Sequence, residues 1–359
     1  MDPRAIAKWL KPRADKIVRA TRALSLLILA AMFVVVRTPA AEKVLRIYFV
    51  DVEGGQATLF VTPEGESLLI DTGWPGNNGR DADRIVAAAK DAGISKIDYV
   101  LITHYHDDHV GGVPQLAAKI PIETFVDHGE NRELDGNSPK LYAAYKALLD
   151  SGKYKHIVAK PGDKLPVKGI DVEAITADGA VLDKPLPGAG QPNPTCKASG
   201  YAGDQTENPR SLGTLVRFGK LKILDLGDLT ADKERELMCP DNRLGKIDVY
   251  VASHHGFLQS GSMPLVHAIA PRVSIVDNGA TKGGSPLALQ LMKASPKPKD
   301  IWQLHYSVEA KEDNTSPEFI ANLQGPDAGN YLKLTAEMDG SFTVFNSRTN
   351  ETKNYSSSR

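Results

Sequence analysis

One short stretch constrains this chain more than any other. His104, His106, Asp108 and His109 lie directly after a near-continuous apolar run, Ile97–Thr103, within Thr103-His104-Tyr105-His106-Asp107-Asp108-His109. The run reads as a buried strand, so the four polar groups sit at its C-terminal end. Extended backbone puts His104 and His106 on one side, by the period of two. A turn can then aim Asp108 and His109 at a second point a few Å away. Imidazole and carboxylate are donors for divalent Zn, Mn or Fe. A single such histidine would more often belong to a core; four donors at the mouth of one strand predict metal binding. Two ions roughly 3.5–4 Å apart can hold one hydroxide between them and polarise an electrophile.

The rest of the chain supplies an α/β frame. Leu45–Val50 and Gln56–Val61 read as a hairpin with a wide turn, and Ser67–Ile70 as a third strand. Asp81–Ala92 fits a helix stopped by Gly93. Further helices are expected over Val113–Lys119, Pro139–Asp150, Thr230–Met238 and Leu287–Lys293, and strands over Thr124–Asp127, Leu212–Phe218, Ile223–Leu226, Val249–Ala252 and Val273–Val276. Residues 178–210, rich in Gly, Pro, Asn and Asp, form the core of a long irregular insertion expected around 129–210. Two β-rich halves interleaved with helices imply two packed sheets with helices outside.

Residues 1–41 have a different character. Arg4, Lys8, Lys11, Arg13, Lys16, Arg19 and Arg22 precede the apolar run Leu24–Val36, and Arg37-Thr38-Pro39-Ala40-Ala41 ends in small residues. That order is the order of a secretory signal peptide, with an uncleaved N-terminal anchor as the alternative. Export, to a periplasm or to the medium, is therefore expected, and membrane association only through residues 1–41. The full chain has 43 Lys/Arg and 44 Asp/Glu; the first 41 residues hold eight and two, leaving 35 and 42, a net of −7. An acidic chain has no global attraction for nucleic acid, so no stable nucleic-acid partner is expected. The two cysteines, Cys196 and Cys239, lie in irregular Pro-rich context and are expected to pair in an oxidising compartment.

The His/Asp stretch matches the H-x-H-x-D-H signature of the metallo-β-lactamase superfamily, and other pieces resemble that family in its own order. Leu69-Ile70-Asp71-Thr72-Gly73 resembles the first signature, Gly227-Asp228 the one whose carboxylate bridges two metals, and Ser253-His254-His255-Gly256 the one carrying the last His ligand. The hydrolase domain of DNA-uptake competence proteins is similar through Asp51-Val52-Glu53-Gly54-Gly55-Gln56-Ala57 and Asn208-Pro209-Arg210-Ser211-Leu212, and phosphorylcholine esterases share part of the pattern. Glu53, Gln56 and Gly283-Gly284-Ser285-Pro286 depart from the competence proteins' pattern.

The resemblance implies a four-layer αβ/βα sandwich and two divalent ions, zinc first, with Mn or Fe as alternatives. His104 and His106 would hold one ion. Asp108, His109 and one of His254 and His255, with His255 favoured, would hold the other, and Asp228 would bridge. The remaining His would contact substrate oxygen or donate a proton. Asp71 would accept a hydrogen bond from a ligand His and fix its tautomer. His128 is the candidate third ligand of the first ion, and His305 a candidate for the rim. Arg210 and Lys282 are candidates for pairing with a substrate phosphate. The acidic run Glu130, Glu133 and Asp135 reads as a solvated loop. Within the superfamily an Asp at position 228 goes with phosphodiesters, thioesters and lactones, whereas dedicated β-lactam hydrolases generally lack it. The expected activity is hydrolysis of a small-molecule or phosphorylated substrate, a phosphodiester above all. The alternatives are an acyl hydrolase acting on lactones, thioesters or β-lactams, and a non-enzymatic metal-binding protein with a closed shell.

Overall fold

The computed structural model describes residues 43–197 and 203–357; the expected signal peptide or anchor lies outside the described residues. Two nine-stranded sheets form the middle of the molecule. The first runs in the order Glu351–Tyr355, Phe342–Asn346, Leu332–Ala336, Leu45–Phe49, Thr58–Val61, Ser67–Ile70, Ile97–Leu101, Ile122–Asp127 and Lys155–Val158. The second runs Ile320–Asn322, Asp300–His305, Val273–Val276, Val249–Val251, Leu221–Asp225, Gly213–Phe218, Asp171–Ala177 and Lys164–Leu165, with Ala180–Val181 paired to Asp171–Ala177.

The period of two sorts each strand between layers. From the first strand, Leu45, Ile47 and Phe49 join a shared core with Val216, Ile223, Val251, Ile275 and Leu304 of the second sheet. Tyr48 and Val50 face the other way, against Ile85, Ala89, Val113 and Leu116. On the far side, Leu224, Tyr250 and Val276 pack with Leu237, Leu265, Val266 and Leu289. Helices Arg80–Asp91, Val113–Ala117 and Ser138–Asp150 thus cover one sheet, and Ala231–Met238, Met263–Ile269 and Pro286–Lys293 the other. This is the expected four-layer sandwich. Each fully buried Leu, Ile or Phe contributes roughly 1.5–3 kcal/mol, and the central layer holds many.

Strand Ser67–Ile70 matches its expected bounds, the hairpin pairs Arg46 with Val61 antiparallel, and the helices end within a few residues of expectation. One boundary needs correction. The segment 129–210 is not uniformly irregular: it holds helix Ser138–Asp150 and the sheet strands Lys155–Val158, Lys164–Leu165, Asp171–Ala177 and Ala180–Val181. Lys155–Val158 is an edge strand with three of its four residues exposed, so it lacks the apolar alternation of a half-buried strand. Cys196 and Cys239 form a disulfide that ties the remaining loop to the end of helix Ala231–Met238.

Candidate metal centre

Parallel pairing makes strand ends converge. Ser67–Ile70 and Ile97–Leu101 are parallel in one sheet; Leu221–Asp225, Val249–Val251, Val273–Val276 and Asp300–His305 are parallel in the other. Their C-terminal ends carry the polar residues, as is general for α/β sheets. Asp71 follows the first strand, 104–109 the second, Asp228 the third, and His254 and His255 the fourth.

The 104–109 loop is clamped from two sides. Gln56 N donates to Asp108 O at 3.0 Å, and Thr72 N to His109 O at 2.8 Å. Glycine is required where these loops meet. A Cβ at Gly55 would lie 2.5 Å from Asp108 O, and one at Gly112 would lie 2.1 Å from Thr72 O. Asp71, His254 and His255 take left-handed backbone, with φ of 59°, 54° and 54°. That conformation costs a non-glycine residue about 1–2 kcal/mol, and here it turns the side chains into the site.

The structure brings together His104, His106, Asp108, His109, Asp228, His254 and His255. His109 Nε2 is 3.2 Å from His255 Nε2, 3.3 Å from Asp108 Oδ2 and 3.3 Å from Asp228 Oδ1. His255 Nε2 is 3.0 Å from Asp108 Oδ2 and 3.4 Å from Asp228 Oδ1. On the other side, His104 Nε2 is 3.1 Å from His106 Nδ1 and 3.8 Å from Asp228 Oδ2, and His254 Nε2 lies 3.4 Å from that same oxygen. The two oxygens of Asp228 therefore face two donor groups: Asp108, His109 and His255 on one side, His104 and His106 on the other. Either group could hold a metal ion.

Asp71, fully buried, accepts from Thr103 N at 2.8 Å and Thr103 Oγ1 at 2.6 Å, and its Oδ2 is 2.6 Å from His109 Nδ1. Burial raises the pKa of Asp71, outweighing the charge and hydrogen bonds of His109 and Thr103. Burial likewise opposes charge on Asp108 and Asp228, but His109 and its cationic neighbours win and hold both well below the usual carboxylate range. His109 shows the mirror image. Burial lowers it, and Asp228, Asp108 and Asp71 raise it well above the ordinary imidazole value. His255 follows the same pattern, pushed up to about 10 by Asp228 and Asp277 against burial and Lys282. His104 is held well below the ordinary value by burial, then by His109 and His106.

The donor set fits divalent cations. The same buried carboxylates that raise His109 and His255 would favour a divalent cation placed between them. Asp228 Oδ1 has no hydrogen-bond partner despite full burial, an uncommon state for a carboxylate oxygen.

Several expectations are corrected. His128 stands outside the cluster: its Nε2 is 2.9 Å from Glu207 Oε2 and its ring lies against Tyr105. The strand Ile122–Asp127 runs parallel to Ile97–Leu101 and ends at the same sheet edge, but the His128 side chain is directed to Glu207 instead of the cluster. His305 pairs with Asp51 at 2.7 Å, in a charge network that includes Glu53 and Arg84. Arg210 is taken by Asp178 at 3.2 Å, so it is no open phosphate contact. Glu133 is no solvated residue, because its Oε2 lies 2.8 Å from His106 Nε2.

Residues not singled out beforehand complete the surroundings. Asp277 Oδ2 is 3.4 Å from His255 Nδ1, and Ser211 Oγ accepts from Asp228 N at 3.2 Å. Asp277 could have been found, because it follows an apolar strand as Asp71 does. Lys282 bonds to Asp108, donates to Gly54 O at 2.7 Å, and lies 5.4 Å and 5.7 Å from the Trp74 and Phe257 ring centres.

Residues 50–204 match the family model "Metallo-beta-lactamase superfamily". Recombination protein 2 of Haemophilus influenzae is 26% identical over 232 residues, covering 64% of this chain and 24% of that protein. Hydroxyacylglutathione hydrolase of Stenotrophomonas maltophilia is 30% identical over 109 residues, covering 29% of this chain and 37% of that protein. The chain thus spans well under half the length of either relative. Among solved structures, Tm1679, a metal-dependent hydrolase of the β-lactamase superfamily, aligns at 14% identity and a TM-score of 0.42, covering 74% of this chain and 97% of that one. Set beside the layered sheets and the ordered donors, these matches make residues 50–204 similar to the metallo-β-lactamase superfamily.

Proposed function

We propose that this chain is an exported, binuclear hydrolase of phosphate esters, phosphodiesters first among them. His104, His106 and Asp228 would hold one ion; Asp108, His109, His255 and Asp228 the other. Imidazoles with carboxylates suit zinc best, and Mn or Fe next. When bound, such a pair supplies Lewis-acid polarisation and activates water at neutral pH.

The protein's own residues do the rest. Asp71 accepts a hydrogen bond from His109 Nδ1–H, which leaves Nε2 turned toward the site. His254 stands at the mouth with 15% of its side chain exposed, and its Nε2 is placed to exchange a proton with the leaving oxygen. Its pKa is lowered, chiefly by burial, which makes its protonated form the stronger acid.

The observation that carries the phosphate reading is Lys282. Its ammonium adjoins the cluster at Asp108, and 27% of its side chain is open to solvent. A fixed positive charge beside the reacting centre favours an anionic substrate and opposes charge building on it. Arg132 and Arg210 are paired with Asp178, and Lys282, though bonded to Asp108 and Gly54 O, is the cation that adjoins the cluster.

A second reading, hydrolysis of lactones, thioesters or β-lactams, is favoured by the local similarity to hydroxyacylglutathione hydrolase. Lys282→Met separates the two. The phosphate reading predicts a KM for bis-p-nitrophenyl phosphate raised about tenfold, as for the loss of one charge-assisted contact, with little change toward a neutral lactone. Equal loss on both substrates would sink it.

The basic, apolar, small order of residues 1–41 supports a place outside the cytoplasm, periplasmic or secreted. The Cys196–Cys239 disulfide also supports it, since such bonds persist in oxidising compartments. The acidic balance after residue 41 favours a small phosphorylated substrate over nucleic acid.

A further inference from the structure

Each imidazole of the candidate centre has a second nitrogen, and the partner of that nitrogen decides which atom is left to meet an ion. His109 Nδ1 has Asp71 at 2.6 Å and His255 Nδ1 has Asp277 at 3.4 Å, two carboxylates that each follow a strand. His104 Nδ1 is 3.0 Å from Thr103 Oγ1. That hydroxyl gives its one proton to Asp71 Oδ2 at 2.6 Å, so it accepts from His104 Nδ1–H. His104 Nε2 is then a bare acceptor.

His106 has no such support from a strand end. Its side chain is 23% exposed, whereas those of His104, His109 and His255 are fully buried. Its partner comes from a loop: His106 Nε2 is 2.8 Å from Glu133 Oε2. Glu207 N donates to the same oxygen at 2.9 Å, so that oxygen is an acceptor. A neutral His106 therefore carries its proton on Nε2, and its Nδ1 is bare. This Nδ1 lies 3.1 Å from His104 Nε2. Two lone pairs facing each other at that distance repel, and a cation between them turns the repulsion into ligation.

Glu133 is itself held in place. Its N donates to Asn131 Oδ1 at 3.0 Å. Its loop and that of Glu207 are tied in both directions, because Arg132 N donates to Glu207 Oε1 at 2.8 Å. Both loops belong to the segment 129–210, which thus reaches the cluster at one residue.

We propose that Glu133 is the positioning residue of the ion held by His104 and His106. By accepting Nε2–H it turns His106 Nδ1 to that ion, and it makes the insertion part of the metal centre. The inference rests on the two-ion part of the hydrolytic reading and not on the substrate.

Zinc titration of metal-free, full-length protein against a chromophoric chelator tests it. Wild type takes two equivalents. Glu133→Ala binds one as wild type does, because Asp108, His109 and His255 are untouched, and binds the other roughly 10- to 100-fold more weakly. Glu133→Gln can still accept from Glu207 N and keep the loops tied, yet weakens the same equivalent by a smaller factor, since its bond to His106 is no longer charge-assisted. In the cobalt-loaded protein, the shifted ring N–H signals of the ligand histidines give a second readout. The His106 Nε2–H signal persists in wild type and is lost to exchange with water in Glu133→Ala. Two equivalents bound alike by wild type and Glu133→Ala overturn the proposal, and so does a loss shared equally by both equivalents. Binding by Glu133→Gln equal to wild type would leave only a tie between loops, and overturns it too. A wild type that takes a single equivalent instead removes the two-ion reading, and this inference with it.

Discussion

Asp225 offers a test of how this interior handles charge. It ends strand Leu221–Asp225, is buried, and lies three residues before Asp228. Burial, followed at a distance by Asp277 and Asp71, pushes its pKa from 3.8 to about 7, against the hydrogen bonds of Gln56 and Gly227. Its Oδ2 is 2.6 Å from Gln56 Nε2, and its Oδ1 accepts from Gly227 N at 3.1 Å. Because the folded pKa is raised, the favourable contribution is complete below the unfolded value of 3.8 and is lost as pH rises toward 7. Between pH 5 and 8 this spans roughly two units, worth about 2–3 kcal/mol at 1.36 kcal/mol per unit. In Asp225→Asn that loss is removed. The amide can accept from Gly227 N and donate to Gln56 Oε1 once the glutamine amide turns over. Urea denaturation of both proteins in EDTA at pH 5 and pH 8 should therefore show the variant gaining about 2–3 kcal/mol on wild type between the two conditions. A stability difference that stays constant from pH 5 to pH 8 would refute the argument.

Asp71→Asn cannot accept three contacts as the carboxylate does, and we expect metal affinity to fall roughly 10- to 100-fold, read by competition with a chromophoric chelator. His255→Gln should lower the bound metal content, because its Nε2 faces Asp108, His109 and Asp228. His254→Gln should keep the metal and lose roughly 10²- to 10⁴-fold in kcat as a lost acid–base group; elemental analysis beside kinetics separates the two, and identical losses in both variants would contradict the division of roles.

Much of this could be read before the fold was known, for a physical reason. Asp71, His104 and Asp228 each follow a short apolar strand, and parallel strands bring their C-terminal ends together, so local patterning carried non-local information. What escaped came from elements whose partners are set only by tertiary packing. Leu332–Ala336 pairs with Leu45–Phe49, almost 290 residues away, and nothing local to either strand specifies that partner. Glu133 and Glu207 come from loops, where side-chain direction follows no period, and both turned out to be buried or half-buried partners of histidines. His128 misled for the same reason: a histidine after a strand resembles its neighbours in sequence, while its side chain is directed to Glu207.

The central claim is that Asp228 divides its two oxygens between two metal-binding groups that together hydrolyse a phosphodiester. Zinc titration of metal-free, full-length protein, followed by hydrolysis of bis-p-nitrophenyl phosphate, tests it most directly. The account predicts turnover that climbs until two equivalents are bound and disappears in Asp228→Ala and Asp108→Ala. Turnover complete at one equivalent, or cleavage confined to a lactone or a cephalosporin, would contradict it.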